Sequence, residues 1–587
     1  MSIRPCLASA LLLFACSEST DRPGDAGAPM IDSSALDARP DAEQRDASID
    51  SSSDAGVVLA TGLPPISGGT LTVIGDQVVV GDADRDMIWV YDLSAEPRLE
   101  HRIALAPGSE PGRVVPTSGG AVVVLRGTGR VAHVDLDEGV VTSEVEVCDA
   151  PRGVDALDDG RVFVACAGGS LVVSDGTSVT RRFIERGLRD VVAVDELLYV
   201  SVFRTAEVLV VNRETLEIVE RLRPPSEELA GVPNTAWRML QHPSGGVLLL
   251  HQRSTEAAIE VERDGYSGSP RCGPGGVVDA ALSHVEAGTP VALGPTITAS
   301  VLLVDMAFDR DGLVFASAGA HQLVRTTGIR RISSLSLENP CQNADFDGAT
   351  GGVPITSVGV VGDRTVAWQL SGELRVISAF NDTFDVLTTG APIVQDFGRD
   401  LFHQGTPSFV ACASCHAEGD DDSITWNFQP TFRRTQTLRG GIIETAPFHW
   451  AGDQEDMAAI MQGSFVERMG GFLQTEGETA LIAGWIDTLP ALTSTAPMDA
   501  ADVAHGQELF EGEAGCIDCH SGAHFTNNLS VDVGTGGALQ VPTLLGISMR
   551  GPFLHDGDAA TLEQTLDHGE DLTGMDREAL VAYLSTL

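Results

Sequence analysis

Lysine is missing altogether from this 587-residue chain, so its 37 basic positions are all arginine, set against 83 Asp and Glu for a formal net charge of -46. A chain this acidic offers no concentrated basic face to phosphates, which argues against nucleic acid as a partner. Helical periodicity is almost absent from residues 57 to 385, and no aromatic residue occurs between Ser17 and Gly56. What remains is 43% hydrophobic and 20% charged, enough apolar material for several domains. The acidity itself reads as surface solubility or, more sharply, as complementarity to a basic redox partner.

The opening MSIRPCLASALLLFAC places Arg4 before an apolar run too short to span a bilayer permanently, the pattern of a signal peptide over residues 1–15. Its end, Leu13-Phe14-Ala15-Cys16, resembles the bacterial lipobox, which implies lipidation of Cys16, a lipid hold on the membrane and retention in the periplasm or at the outer membrane. Residues 16–56, built of Asp, Ser, Ala and Pro, read as a disordered tether. Of the ten cysteines, Cys148, Cys166, Cys272 and Cys341 have no role in the export signal or in the motifs below. They fit two disulfides outside the cytoplasm or buried free thiols, and sequence does not pair them.

From 57 to 388 the chain repeats a unit of apolar run, Asp/Gly turn and second apolar run. Copies begin at Leu71, Gly112, Arg152, Leu188, Trp237, Leu303 and Ile355. Seven units at this spacing predict a seven-bladed all-β propeller resembling the YncE-like and quinoprotein-like propellers, and the long stretch Gly265 to Thr298 leaves room for an eighth blade. Ring closure leaves a funnel suited to an unknown substrate or a partner. His242, His251 and His321 are scattered and read as surface or satisfied residues.

Near Ala391 the pattern becomes helical. Two all-α c-type cytochrome domains are expected, at 389–495 and 496–587, carrying Cys412-Ala-Ser-Cys415-His416 and Cys516-Ile-Asp-Cys519-His520. In CxxCH, two thiols one helical turn apart add across the vinyl groups of haem, and the adjacent imidazole becomes the proximal iron ligand. With 10 Cys and 14 His in the chain, chance supplies only roughly 0.004 such motifs. Two haems c are therefore expected, with His416 and His520 as iron ligands. The flanks repeat too: Gly398-Arg-Asp-Leu-Phe402 against Gly506-Gln-Glu-Leu-Phe510, and Pro447-Phe-His-Trp450 against Pro552-Phe-Leu-His555. The Gly and Phe pair suits close crossing of the first and last helices of each domain.

These motifs resemble the bacterial di-haem cytochrome c peroxidase superfamily over about Ala391 to Leu587, most strongly in Val541 to Leu566. The resemblance implies an oxidoreductase with electron transfer between haems, a tryptophan between them at Trp450, a distal-pocket or inter-haem role for His555, and an interdomain calcium ion for which no ligand set stands out. It departs from the family where peroxide cleavage needs a carboxylate: the position reads Arg468, and Glu467 would serve only after a one-residue shift. The family's histidine ligand between the first motif and the tryptophan is also missing. Met469 is accordingly the expected distal ligand of the first haem, with Met457 and Met461 as rivals, and His568 that of the second, against Met549, Met575 and His555. The expected function is electron transfer outside the cytoplasm with a redox protein or small donor. A haem-coupled dehydrogenase with a catalytic propeller and a surface interaction protein are the alternatives.

Overall fold

The computed structural model describes residues 56–587 apart from 227–230, 261–264, 270–272, 299, 311, 328–340, 343–344, 348–352, 379–383, 535 and 570–571. The signal peptide, Cys16, nearly all of the tether, Cys272 and the Cys341 side chain lie outside the described residues.

Seven sheets form the propeller, spanning 71–104, 111–146, 151–183, 188–222, 232–297, 303–347 and 355–388, all antiparallel except that the fifth gains Cys341–Gln342 as a parallel outer strand. Each repeat found in the sequence falls on or overlaps the first strand of a blade, from Leu71–Ile74 through Ile355–Val361. These strands and the next are apolar nearly throughout because both faces are covered: Gln77–Asp82, Gly120–Leu125 and Val162–Cys166 are buried almost end to end. Fourth strands such as Arg98–Ala104 alternate between exposed and covered residues, as a strand at the rim should. Separate apolar cores fill the joints between blades, and the cluster of Leu71, Val78, Trp89, Val366 and Trp368 closes the ring between blades one and seven. The long segment after Gly265 makes no eighth blade. Blade five instead carries an excursion, Thr255 to Val277, between its second and third strands, Val247–Ser254 and Val278–Val285. Cys148 and Cys166 form a disulfide that ties the end of blade two to the second strand of blade three.

Val57–Leu59 pairs in parallel with Ile393–Gln395, so the chain enters and leaves the propeller side by side. Helices then follow: α1 (Phe397–His403), α2 (Cys412–Cys415), α3 (Met457–Ile460) running into a π-helix at Met461–Arg468, α4 (Glu476–Asp487), α5 (Ala500–Glu511) and α6 (Gly574–Leu584). Side chains of Asp396, Thr475, Asp499 and Thr573 cap α1, α4, α5 and α6, supplying acceptors to N–H groups that the helices leave open. Each helical domain also contains one small hairpin, Thr425–Phe428 with Thr431–Arg434 and Ser530–Asp532 with Ala538–Gln540. The expected close crossings are present. A Cβ on Gly398 would stand 2.2 Å from the Leu481 carbonyl oxygen of α4, and one on Gly506 would stand 2.0 Å from that of Ala579 in α6.

Candidate haem sites

The helical turn α2 carries Cys412 and Cys415 on one side of a cavity of about 290 Å3, with His416 at its C-terminal end. Met457, Met461 and Met469 line the same cavity, which brings the expected proximal ligand and all three expected sulfur ligands to one site. Phe402, Trp426, Phe428 and Phe465 make the walls largely apolar, as a planar macrocycle requires. Burial pushes the Cys412 thiol up to about 12 and raises that of Cys415 as well. A redox dithiol needs the opposite shift, so these sulfurs suit thioether attachment. Burial also lowers the pKa of His416, keeping its ring neutral as an iron ligand must be. The Asp420 and Gln436 carbonyls favour its proton, yet Nδ1 closes no hydrogen bond of ordinary geometry. The buried Nε of Arg434, also on the cavity wall, lacks a hydrogen-bond partner too. An apolar cavity edged by unfilled polar atoms and two inert thiols fits a bound haem.

The second motif is more open. Cys516, Cys519 and His520 are half-buried like their counterparts, but Ile517 and Asp518 between the thiols are exposed where Ala413 and Ser414 are buried. His520 Nδ1 lies 3.2 Å from the Phe525 carbonyl, the bond that fixes a proximal histidine with Nε2 free for metal. His568 is exposed, but lies close enough for its charge to oppose protonation of His520. Its rivals fall elsewhere: Met575 is 78% exposed, Met549 packs toward the propeller beside Arg204, and His555 lines the first cavity. Among the described residues no group of three or more His, Cys, Asp or Glu is arranged to hold a metal ion.

Trp450 and His555, which correspond in the internal duplication, both line the first cavity and are linked by a ring of four hydrogen bonds that runs through Arg434 and Gln540. Trp450 Nε1 donates to the Arg434 carbonyl at 2.8 Å and His555 Nε2 faces the Gln540 carbonyl at 3.0 Å. The Arg434 and Gln540 N–H groups return bonds to the carbonyls of His555 and Trp450 at 2.8 and 2.9 Å. Burial holds His555 at about 4, so the ring is neutral and donates through Nε2.

Sequence reasoning missed how far the propeller enters the first site. The loop after His416 plugs into the propeller, where Glu418 meets Arg189 at 2.6 Å and Arg152 at 3.0 Å. Asp421 pairs with Arg204 of the propeller and, at 2.8 Å, with Arg434. Burial acts to raise both carboxyls, but these guanidiniums outweigh it and hold them below the usual range. Gln252 of blade five donates to the Ser414 carbonyl, inside the first CxxCH, at 2.8 Å. Ile259, Tyr266 and Val277 of the blade-five excursion line the cavity itself. Two signals pointed this way: the excess length after Gly265 and the acidic run Glu418 to Asp422, placed against a motif that needs no acid.

A seven-bladed propeller carrying a duplicated helical pair of CxxCH domains is thus the class that fold and sites define. The chain is similar to the methylamine utilization protein MauG of Methylorubrum extorquens, with 26% identity over 30% of this chain and 72% of that protein. This bears out the resemblance to the di-haem cytochrome c peroxidase superfamily. No protein-family model matches the chain. Among solved structures, Kuenenia stuttgartiensis hydrazine synthase aligns with 56% of this chain and 96% of its own at 17% identity and a TM-score of 0.39. The β-propeller domain of Myceliophteria thermophila Cps50 aligns with 55% and 95% at 11% identity and a TM-score of 0.37.

Proposed function

We propose that this chain is an exported di-haem c-type cytochrome oxidoreductase that passes electrons between two covalently held haems and does not turn over peroxide efficiently. The observation that carries the reading is the polarity of the first cavity. Arg468 lines it, whereas Glu467, beside it in sequence, is exposed and accepts from Gln462 at 3.2 Å. Peroxide cleavage needs a group above the iron that takes and returns a proton, and a guanidinium does neither at ordinary pH. The π-helix through Met461–Arg468 adjusts register here without bringing Glu467 inward.

A haem in each site supplies one-electron chemistry; the chain's residues bind it, orient it and exclude water. Cys412, Cys415, Cys516 and Cys519 would anchor it, His416 and His520 would ligate its iron, and Met469 and His568 are assigned as the second ligands. Trp450 and His555, held by the bonds through Arg434 and Gln540, stand on the wall of the first cavity. The Cys148–Cys166 disulfide supports an oxidising compartment, and Cys16 is assigned the lipid anchor. The propeller holds the first haem domain through Glu418 and Asp421, which leaves its outer rims for a basic redox protein or small donor. Visible and EPR spectra of both oxidation states, with stopped-flow mixing of peroxide and a reduced donor, test the reading. Low-spin His/Met and bis-His signals with slow turnover are expected; an open iron with rapid repeated turnover would overturn it.

A further inference from the structure

The blade-five excursion does more than brace the first haem domain. It is built into the cavity wall: Ile259 N–H donates to the Asn427 carbonyl at 2.8 Å, and Tyr266 N–H to the Arg468 carbonyl at 3.0 Å. Gly276 packs so tightly against the segment leading into α2 that a Cβ there would stand 2.5 Å from a Val410 methyl. Tyr266 lines the same cavity as Cys415 and the Arg468 side chain. Arg468 lies 5.9 Å from the centroid of Phe428 and pairs with no carboxylate among the described residues. Neighbouring Arg434, by contrast, is matched by Asp421.

A guanidinium facing apolar walls without a counter-charge is costly, and bound water answers only part of that cost. A guanidinium offers only donors and a phenol beside it has a proton to donate, so the two side chains can meet an anion together. That is the chemistry of an anion site, and a planar oxyanion matches a guanidinium best.

We propose that Tyr266, carried by the propeller, and Arg468, carried by the first haem domain, together bind a carboxylate or small oxyanion on the wall of the first haem cavity. The inference rests on the haem reading above, and its ligand chemistry has two sources: a carboxylate side chain of the haem itself, or a free oxyanion such as formate or nitrite. The propeller thereby becomes part of the redox site and not only its support.

The test uses the full chain matured with haem, as wild type, Arg468→Gln, Arg468→Lys and Tyr266→Phe, each checked for two haems by mass and pyridine haemochrome. Potentiometric titration at several pH values reads the first source. Loss of the cation lowers the first haem's midpoint potential and changes its pH dependence, Arg468→Lys restores most of it, and formate has no effect. Titration of the oxidised protein with formate and nitrite, against chloride at equal ionic strength, reads the second. A saturable change in the first haem's EPR signal then weakens about tenfold or more in Arg468→Gln and Tyr266→Phe. If Arg468→Gln does not accumulate, Tyr266→Phe carries both arms. Unchanged potentials, pH profile and anion response in these variants would overturn the site. Colourless wild-type protein would sink the haem reading and the site with it, a result distinct from coloured protein indifferent to the substitutions.

Discussion

The two CxxCH regions are copies in sequence that have been put to different structural use. Both cross a first and last helix over a glycine, both carry a small hairpin, and both turn through a left-handed residue after the cis Pro-Phe pair, at His449 and Leu554. The first copy packs against the propeller and buries Ala413 and Ser414 of its CxxCH; the second exposes Ile517 and Asp518 at the same places. The contrast is sharpest two residues past each histidine. There the second domain has Gly522, which adopts φ +75° without steric cost, while the first has Glu418 at φ +53°. The strained glutamate persists because Arg152 and Arg189 hold its carboxylate.

The largest effect should come from removing the attachment thiols one domain at a time. Cys412→Ala/Cys415→Ala and Cys516→Ala/Cys519→Ala should each reduce covalent haem from two to one by mass. The first pair should also lower the thermal midpoint more, because it empties a cavity of about 290 Å3 shared with the propeller. Equal midpoints would mean that the propeller seam does not depend on the cofactor.

Next comes Glu418→Gln. It leaves two buried guanidiniums facing a neutral amide, and breaking a buried ion pair in this way costs about 3–5 kcal/mol. Denaturant unfolding should show the loss, whereas Gly522→Ala in the other copy should cost about 1 kcal/mol through its left-handed backbone alone. Comparable losses would break the asymmetry argued here. Smaller again, Gly398→Ala and Gly506→Ala should each cost about 1–3 kcal/mol by driving a methyl into a facing carbonyl. The two should match, since this is where the copies remain alike.

How much of this was legible beforehand follows from the range of each interaction. Blade starts could be read because alternation and turn residues repeat locally, as at Leu188 and Ile355. The haem motifs and the Gly398 and Gly506 crossings are likewise patterns within a few residues, doubled by the duplication. Partners far apart in the chain were not legible: Glu418 finds Arg189, Gln252 finds Ser414, and Tyr266 finds Arg468 only once the propeller has closed. The Cys148–Cys166 pairing belongs with these, because it depends on blades two and three standing side by side. Besides the acidic run after His416, length carried a long-range hint, and the surplus after Gly265 proved to be part of an excursion reaching the first cavity.

The finest test of the comparison is pH. His403 ends α1, where the second copy places the exposed Glu511 at the end of α5. Its Nδ1 donates to the Arg399 carbonyl at 2.8 Å and its Nε2 accepts from Ile66 N–H at 3.3 Å, bonds that only the neutral ring can make together. Burial holds its pKa at about 3, against about 6.5 when unfolded. The unfolded chain therefore binds more protons between those values, and stability from this group is whole above pH 6.5 and is lost as pH falls toward 3. Between pH 7 and 5 the loss should be about 1–2 kcal/mol. Glu418 and Asp421, held below the usual carboxylate range, should add their losses only at more acid pH. Denaturation midpoints at pH 7, 6 and 5 should therefore fall less steeply in His403→Gln than in wild type. Parallel slopes would place His403 in a protonated form that the Ile66 contact cannot accommodate.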